Sequence, residues 1–112
     1  MIIYISGAMT GHPQLNFPAF NAEAARLRAL GHTVINPAEV NCDPDKGWQD
    51  CMKADIREMM SCDTIALLPG WQKSQGAHLE LHIAHRLGFQ ILDAADIQDF
   101  APAKIDEALK WA

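Results

Sequence analysis

The chain has 112 residues, 49% apolar and 21% charged, a composition that builds one compact domain over residues 1–112 and excludes a disordered or collagen-like chain. Nine lysines and arginines against 14 acids leave a net charge of −5, the wrong sign for a protein that grips a nucleic-acid polymer by neutralising its phosphates. A small phosphorylated ligand stays compatible, because helix termini and backbone amides hold phosphate locally.

Residues Ile2–Ser6 form a short apolar run that reads as a first strand, closed by the glycine-bearing loop Gly7–Pro13. Asn16 followed by Pro18 opens a helix predicted to run to about Leu30, with Phe20, Ala24 and Leu27 at helical spacing and Gly31 as its stop. A second strand is predicted over His32–Asn36, ended by Pro37, and a polar loop over Asn41–Gly47. Trp48 to about Ser61 reads as the second helix. Asp63–Leu68 is a near-continuous apolar run, as expected of a strand covered on both faces. Pro69-Gly70-Trp71 turns the chain into a third helix over Gln75–Leu87, followed by a strand at Phe89–Asp93 and a closing helix at Ala101–Trp111.

Alternating strands and helices in this order predict a doubly wound, flavodoxin- or Rossmann-like α/β domain, a parallel sheet of four to five strands with helices on both faces. Ligands of such sheets bind beyond the carboxyl ends of the strands. That places the site among three loops, Gly7–Pro13, Pro37–Gly47 and Pro69–Gly76. No apolar run approaches the ~20 residues of a membrane span, and Met1–Ser6 lacks the basic flank and length of a signal peptide. Cys42, Cys51 and Cys62 are odd in number and form no C-x-x-C pair, so three thiols in a reducing cytoplasm are expected rather than a disulfide framework or a zinc ribbon.

Two acids fall where apolar residues belong. At 100° per residue, Gly76, Ala77, Ile83, Ala84 and Leu87 all lie within about 60° of Glu80 on the third helix. Glu80 therefore sits in the stripe that packs on the sheet, early in the helix, with its side chain leaning toward the N-terminus and the mouth above the third strand. On the second helix Asp55 shares its side with Trp48, Cys51, Met52, Met59 and Cys62, while Lys53 and Arg57 face away. An unpaired carboxylate on such a stripe costs several kcal/mol or takes up a proton. A buried hydrogen bond to a loop would satisfy either acid alone. Two acids on helices that flank the same strand point instead to glycosidic-bond chemistry, one as nucleophile and the other handling a proton or orienting the substrate.

Other residues near this edge read two ways. Ser74 before Gly76 makes a small anion site at a helix start, or a plain N-cap. The Tyr4 hydroxyl reaches a carboxylate and holds it ionised, or the ring simply fills the core. Trp71 offers a face to a flat ring, or packs at a surface. His78, His82 and His85 form a stripe nearly opposite Glu80 without an H-E-x-x-H pattern, which argues for a polar outer face or a subunit contact rather than a metal site.

Taken together, Tyr4-Ile5-Ser6-Gly7, Asp55 and Ser74-x-Gly76-x-x-x-Glu80 resemble the nucleoside 2-deoxyribosyltransferase-like superfamily. More narrowly, the run from Tyr4 to Gly11, Pro18-Ala19-Phe20, Asn36-Pro37-Ala38-Glu39 and Cys62-Asp63 through Leu67-Leu68-Pro69-Gly70-Trp71 is similar to a small uncharacterised family of bacterial and phage proteins, DUF4406. The resemblance covers residues 2 to about 92. It implies a cytoplasmic hydrolase or transferase of nucleotide metabolism that cleaves the N-glycosidic bond of a (2-deoxy)nucleoside or its 5′-monophosphate without a cofactor or metal. Glu80 would be the nucleophile and Asp55 would contact substrate and assist leaving-group protonation. Tyr4 would orient Glu80, and Ser74 would meet the 5′ end of the substrate. Ser6, Gly7, Thr10, Gly76 and Trp71 complete the expected substrate contacts.

The resembled monophosphate hydrolases carry Ser and Arg in the first loop, where this chain has Ala8 and Thr10. Loss of that guanidinium removes a contact worth ~1.5–3 kcal/mol and weighs against phosphate, with Thr10 and Ser74 left to serve there. The resemblance further implies a homo-oligomer with a site completed by a neighbour, the histidine stripe being its contact. Two other readings stand beside the enzyme. One is a module that captures a nucleotide-like ligand without turnover; the other is an interaction protein on an inherited fold.

Overall fold

The computed structural model describes residues 1–40 and 44–98. The closing helix expected over Ala101–Trp111, Cys42 and the first residues of the expected polar loop lie outside them. Within the described residues the chain runs β1 (Ile2–Ser6), α1 (Phe17–Ala29), β2 (Thr33–Ile35), α2 (Trp48–Met59), β3 (Thr64–Leu67), α3 (Gln75–Arg86) and β4 (Gln90–Asp93), with short 3-10 turns between. All strand pairs are parallel, in the order β2-β1-β3-β4. This is the predicted doubly wound sheet, with four strands.

Strand alternation divides the core into two layers. Ile3 and Ile5 of β1 pack with Phe20, Ala24 and Leu27 of α1 on one face. Tyr4 of β1 joins Ile65 and Leu67 of β3, Met59 of α2 and Ala84 of α3 on the other. Right-handed crossovers explain this division: the chain leaves β1 toward β2 with its helix on one face, then crosses back to β3 with its helix on the opposite face. A crevice consequently opens at the carboxyl ends of β1 and β3, where Ser6 pairs with Leu67. All four residues of β3 are buried, as its apolar run predicts.

The differences from the sequence reading lie at element ends, and each has a local cause. β2 starts at Thr33 because the His32 amide still bonds the carbonyl of Leu27. It ends at Ile35 because the Asn36 side chain turns back to accept from the Ala38 amide. α2 closes at Met59, whose carbonyl takes the Cys62 amide. Asn16 precedes α1 in a left-handed conformation, φ 61°, and its side chain donates to the Ala8 carbonyl at 3.0 Å instead of capping the helix. Cys62 is a free, buried thiol, but Cys51 is disulfide-bonded, which corrects the expectation of three thiols. No helix among the described residues is long and apolar enough to cross a membrane.

Candidate functional site

The switch-point crevice is a cleft of about 370 Å³, within the ~300–1,000 Å³ usual for small-molecule sites. Alternation in β1 sets what lies beneath it. Tyr4 and Ser6, two residues apart, point to the same face, and both are fully buried. Above them α3 lays Glu80 in its buried stripe between Ala77 and Ala84. The Tyr4 hydroxyl donates to Glu80 Oε2 at 2.5 Å, and the Ser6 hydroxyl donates to Oε1 at 2.7 Å. Each carboxylate oxygen thus has its own buried donor, and Glu80 is only 5% exposed.

Burial pushes the Glu80 carboxyl up to about 7; the Tyr4 and Ser6 hydrogen bonds pull it back down, and nearby Asp55 adds to the rise. Two hydroxyls that both donate favour the ionised form, since a protonated carboxyl would need one of them to accept. Tyr4 is in turn held well above its ordinary value by its own burial and then by the charges of Glu80 and Asp55. It stays a neutral donor throughout the physiological range.

Asp55 reaches the same cleft from α2. It is half-buried and bonds no other described side chain or amide, and loss of water around it raises its carboxyl to about 6. The acids that broke the apolar pattern of two different helices therefore line one hollow. Gly47 begins α2 at φ 86°, a left-handed value that suits glycine, and the turn delivers Trp48, Met52 and Asp55 along the cleft wall.

The other predicted contacts divide. Gly7, Thr10, Ser74 and Gly76 all line the cleft. The Ser74 hydroxyl accepts from the Ala77 amide at 3.1 Å and so caps α3. Gly76 leaves room for Met52: a Cβ there would meet the Met52 sulfur at 3.1 Å. Gly7 is small for another reason, because a Cβ would lie 2.9 Å from Cβ of Leu68 on the neighbouring segment. Ser6 lies beneath the cleft as a partner of Glu80 rather than on its surface. Trp71 does not line the cleft; its ring packs against that of His78, centroids 5.2 Å apart, and against the Tyr4 layer of the core. Of the three expected loops, the third contributes only Ser74 and Gly76.

Most of the apolar wall lies outside the three expected loops. Leu15, Phe17 and Phe20 come from the start of α1 and the turn before it, Pro37 and Val40 from the loop after β2, and Trp48 and Met52 from α2. Asn36, buried, fixes the middle group by donating to Asn21 Oδ1 at 2.9 Å. Among the described residues no lysine, arginine or histidine lines the cleft, and no cluster of three His, Cys, Asp or Glu side chains is placed to hold a metal ion. His78, His82 and His85 are exposed on the outer side of α3, the first bonding the Gln72 carbonyl at 2.7 Å.

The chain belongs to the family described as Domain of unknown function (DUF4406), whose family model matches residues 1–93 and so takes in β1 to β4 and α1 to α3. No curated protein matches the chain.

Proposed function

We propose that the chain is an enzyme that cleaves the N-glycosidic bond of a (2-deoxy)nucleoside, as the nucleoside 2-deoxyribosyltransferase-like superfamily does. The single observation that carries the reading is the Glu80 carboxylate, buried beneath an apolar cleft with a hydroxyl donor on each oxygen and a second, unbonded carboxyl on the facing helix. Burial that merely satisfied a stray acid would not also open it to a hollow.

In this mechanism Glu80 attacks the anomeric carbon and forms an ester with the sugar while the carbon–nitrogen bond to the base breaks. The bonding pair leaves on the base nitrogen, which takes a proton from Asp55 directly or through a water. Water or a second base, giving its proton back to Asp55, then attacks the same carbon and displaces Glu80 as the carboxylate, giving hydrolysis or base transfer. A retained configuration follows from two displacements. Asp55, raised to about 6, keeps a usable protonated fraction near neutrality. Tyr4 and Ser6 hold Glu80 in one orientation and favour its charge.

The absence of a cationic side chain on the described cleft wall favours the uncharged nucleoside over its monophosphate, whose dianion would enter beside two carboxyls. We place the reaction in cytoplasmic nucleotide metabolism. Assembly into a homo-oligomer through the outer face of α3 belongs to the same proposal, and light scattering on the purified chain tests it. The decisive experiment incubates the chain with a panel of nucleosides and 5′-monophosphates, follows free base, and seeks by intact mass an ester on Glu80 from a 2-fluoro-2-deoxy analogue. Saturable binding with neither release nor adduct would make the chain a binding module instead.

A further inference from the structure

The cleft carries side-chain charge of one sign. Asp55 and Glu80 line it, and among the described residues no lysine, arginine or histidine does. Lys46, Lys53, Arg57 and Lys73, the cations closest in sequence to its lining segments, are all exposed, and none belongs to its wall. Elsewhere the chain pairs acids with cations, Glu23 with Arg26 and Glu39 with Arg28. Tyr4 and Ser6 direct their hydroxyl hydrogens at Glu80, which steadies that charge without cancelling it. Helix starts do not make up the difference. Each carries about half a positive charge that fades within a turn, whereas Asp55 is the eighth residue of α2 and Glu80 the sixth of α3.

Met52, Pro37 and Val40 on the wall screen poorly, and a cleft of this kind concentrates the field of its charges. Near neutrality Asp55, with its carboxyl at about 6, is mostly ionised. A neutral base bonded to the sugar needs Asp55 in its minor, protonated form in order to leave. A base that already carries a positive charge does not, and it meets the carboxylates as partners.

We propose that this cleft selects nucleosides whose base bears a fixed positive charge, a pyridinium or an N-alkylated purine, over neutral ones. The assignment rests on the glycosidase reading and names its substrate class. Glu80 bonds to the anomeric carbon, the carbon–nitrogen bond breaks, and the electron pair of that bond stays on the base and cancels its charge. The base leaves neutral, and no proton moves in this step. Water then attacks the same carbon, gives a proton to the Asp55 carboxylate and displaces Glu80, and the proton passes to solvent.

The test compares a cation with its neutral counterpart. By calorimetry, 1-methylnicotinamide binds on the order of 10-fold or more tighter than nicotinamide at about pH 7.5. The preference shrinks toward about pH 5 as Asp55 takes up its proton. Asp55 and Glu80 are the titrating groups of the described wall, with Tyr4 neutral beneath and Cys51 disulfide-bonded. Asp55→Asn, shown folded by circular dichroism, loses the preference; Asp50→Asn, exposed at the start of the same helix, keeps it. With nicotinamide riboside as substrate, kcat/KM rises with pH to a plateau, whereas a neutral purine nucleoside loses rate as Asp55 gives up its proton. Equal binding of the two rings, undetectable binding of the cation, or a preference that survives Asp55→Asn overturns the proposal. Cation preference without cleavage of any nucleoside upholds the charge selection while sinking the enzyme; cleavage of neutral nucleosides with no preference for the cation does the reverse.

Discussion

Removing the Tyr4 hydroxyl isolates what holds the charge on Glu80. The phenol is fully buried, donates to Oε2 at 2.5 Å, and cannot become an anion in the working range because its pKa is held well above the usual value. Tyr4→Phe keeps the ring in the core and deletes one bond to a carboxylate, worth ~1.5–3 kcal/mol. At 1.36 kcal/mol per pKa unit that raises Glu80 by about one to two units, from about 7 to roughly 8–9. The ionised fraction at pH 7 then falls from about one half to about 1–10%. The expected result for a neutral nucleoside is a kcat/KM at pH 7 lower than wild type by about 5- to 50-fold, a deficit relative to wild type that closes as pH approaches 9–10, where both decline as Asp55 loses its proton. The assay is the pH profile of kcat/KM for variant and wild type, with carboxyl infrared titration as a readout that needs no turnover. A rate lowered equally at every pH, with the acid limb unmoved, would refute the reasoning and reduce Tyr4 to packing.

Further outcomes follow from the same geometry. Glu80→Gln loses activity on the order of 10³-fold or more, and it also changes stability in a pH-dependent way. A carboxyl with a higher pKa folded than unfolded binds its proton more tightly in the native state, so the wild type loses stability as pH rises from about 4.5 to about 7. Denaturant melts should accordingly show Glu80→Gln gaining about 3 kcal/mol on the wild type between those values. Asp55→Asn removes a charge that raises Glu80, so the acid limb moves to lower pH in any activity that remains; a limb moving upward would contradict the pairing. Gly7→Ala pushes a methyl into Leu68 and should destabilise by about 1–3 kcal/mol. Gly76→Ala crowds only the movable end of Met52, with the Ser74 hydroxyl at ordinary contact distance, and should leave the melt near the wild type while raising KM.

The sheet was legible because glycine and proline punctuate it and apolar runs fill it: Ile2–Ser6 is a strand as read, and β3 is buried on both faces. The two acids were legible for the opposite reason, since each breaks a helical stripe that ought to be apolar. Ser6 carried an unused signal. Strand alternation alone puts it on the same face as Tyr4, so a donor inferred for one predicts a donor for the other. Leu15 carried none, because nothing in Gln14-Leu15-Asn16 favours three successive left-handed residues; the Asn16 bond to Ala8 supplies the tether, and it exists only once β1 and α1 have come together. The choice between tryptophans was closed to sequence for a related reason. Trp71 follows Gly70 in a turn and looks exposed, yet it packs on His78 and the core, whereas Trp48 opens an amphipathic helix and looks like packing, yet it stands at the cleft. A charged site residue shows itself by violating the burial pattern. An apolar one obeys that pattern and stays hidden until the fold decides whether the surface it covers belongs to the protein or to a ligand.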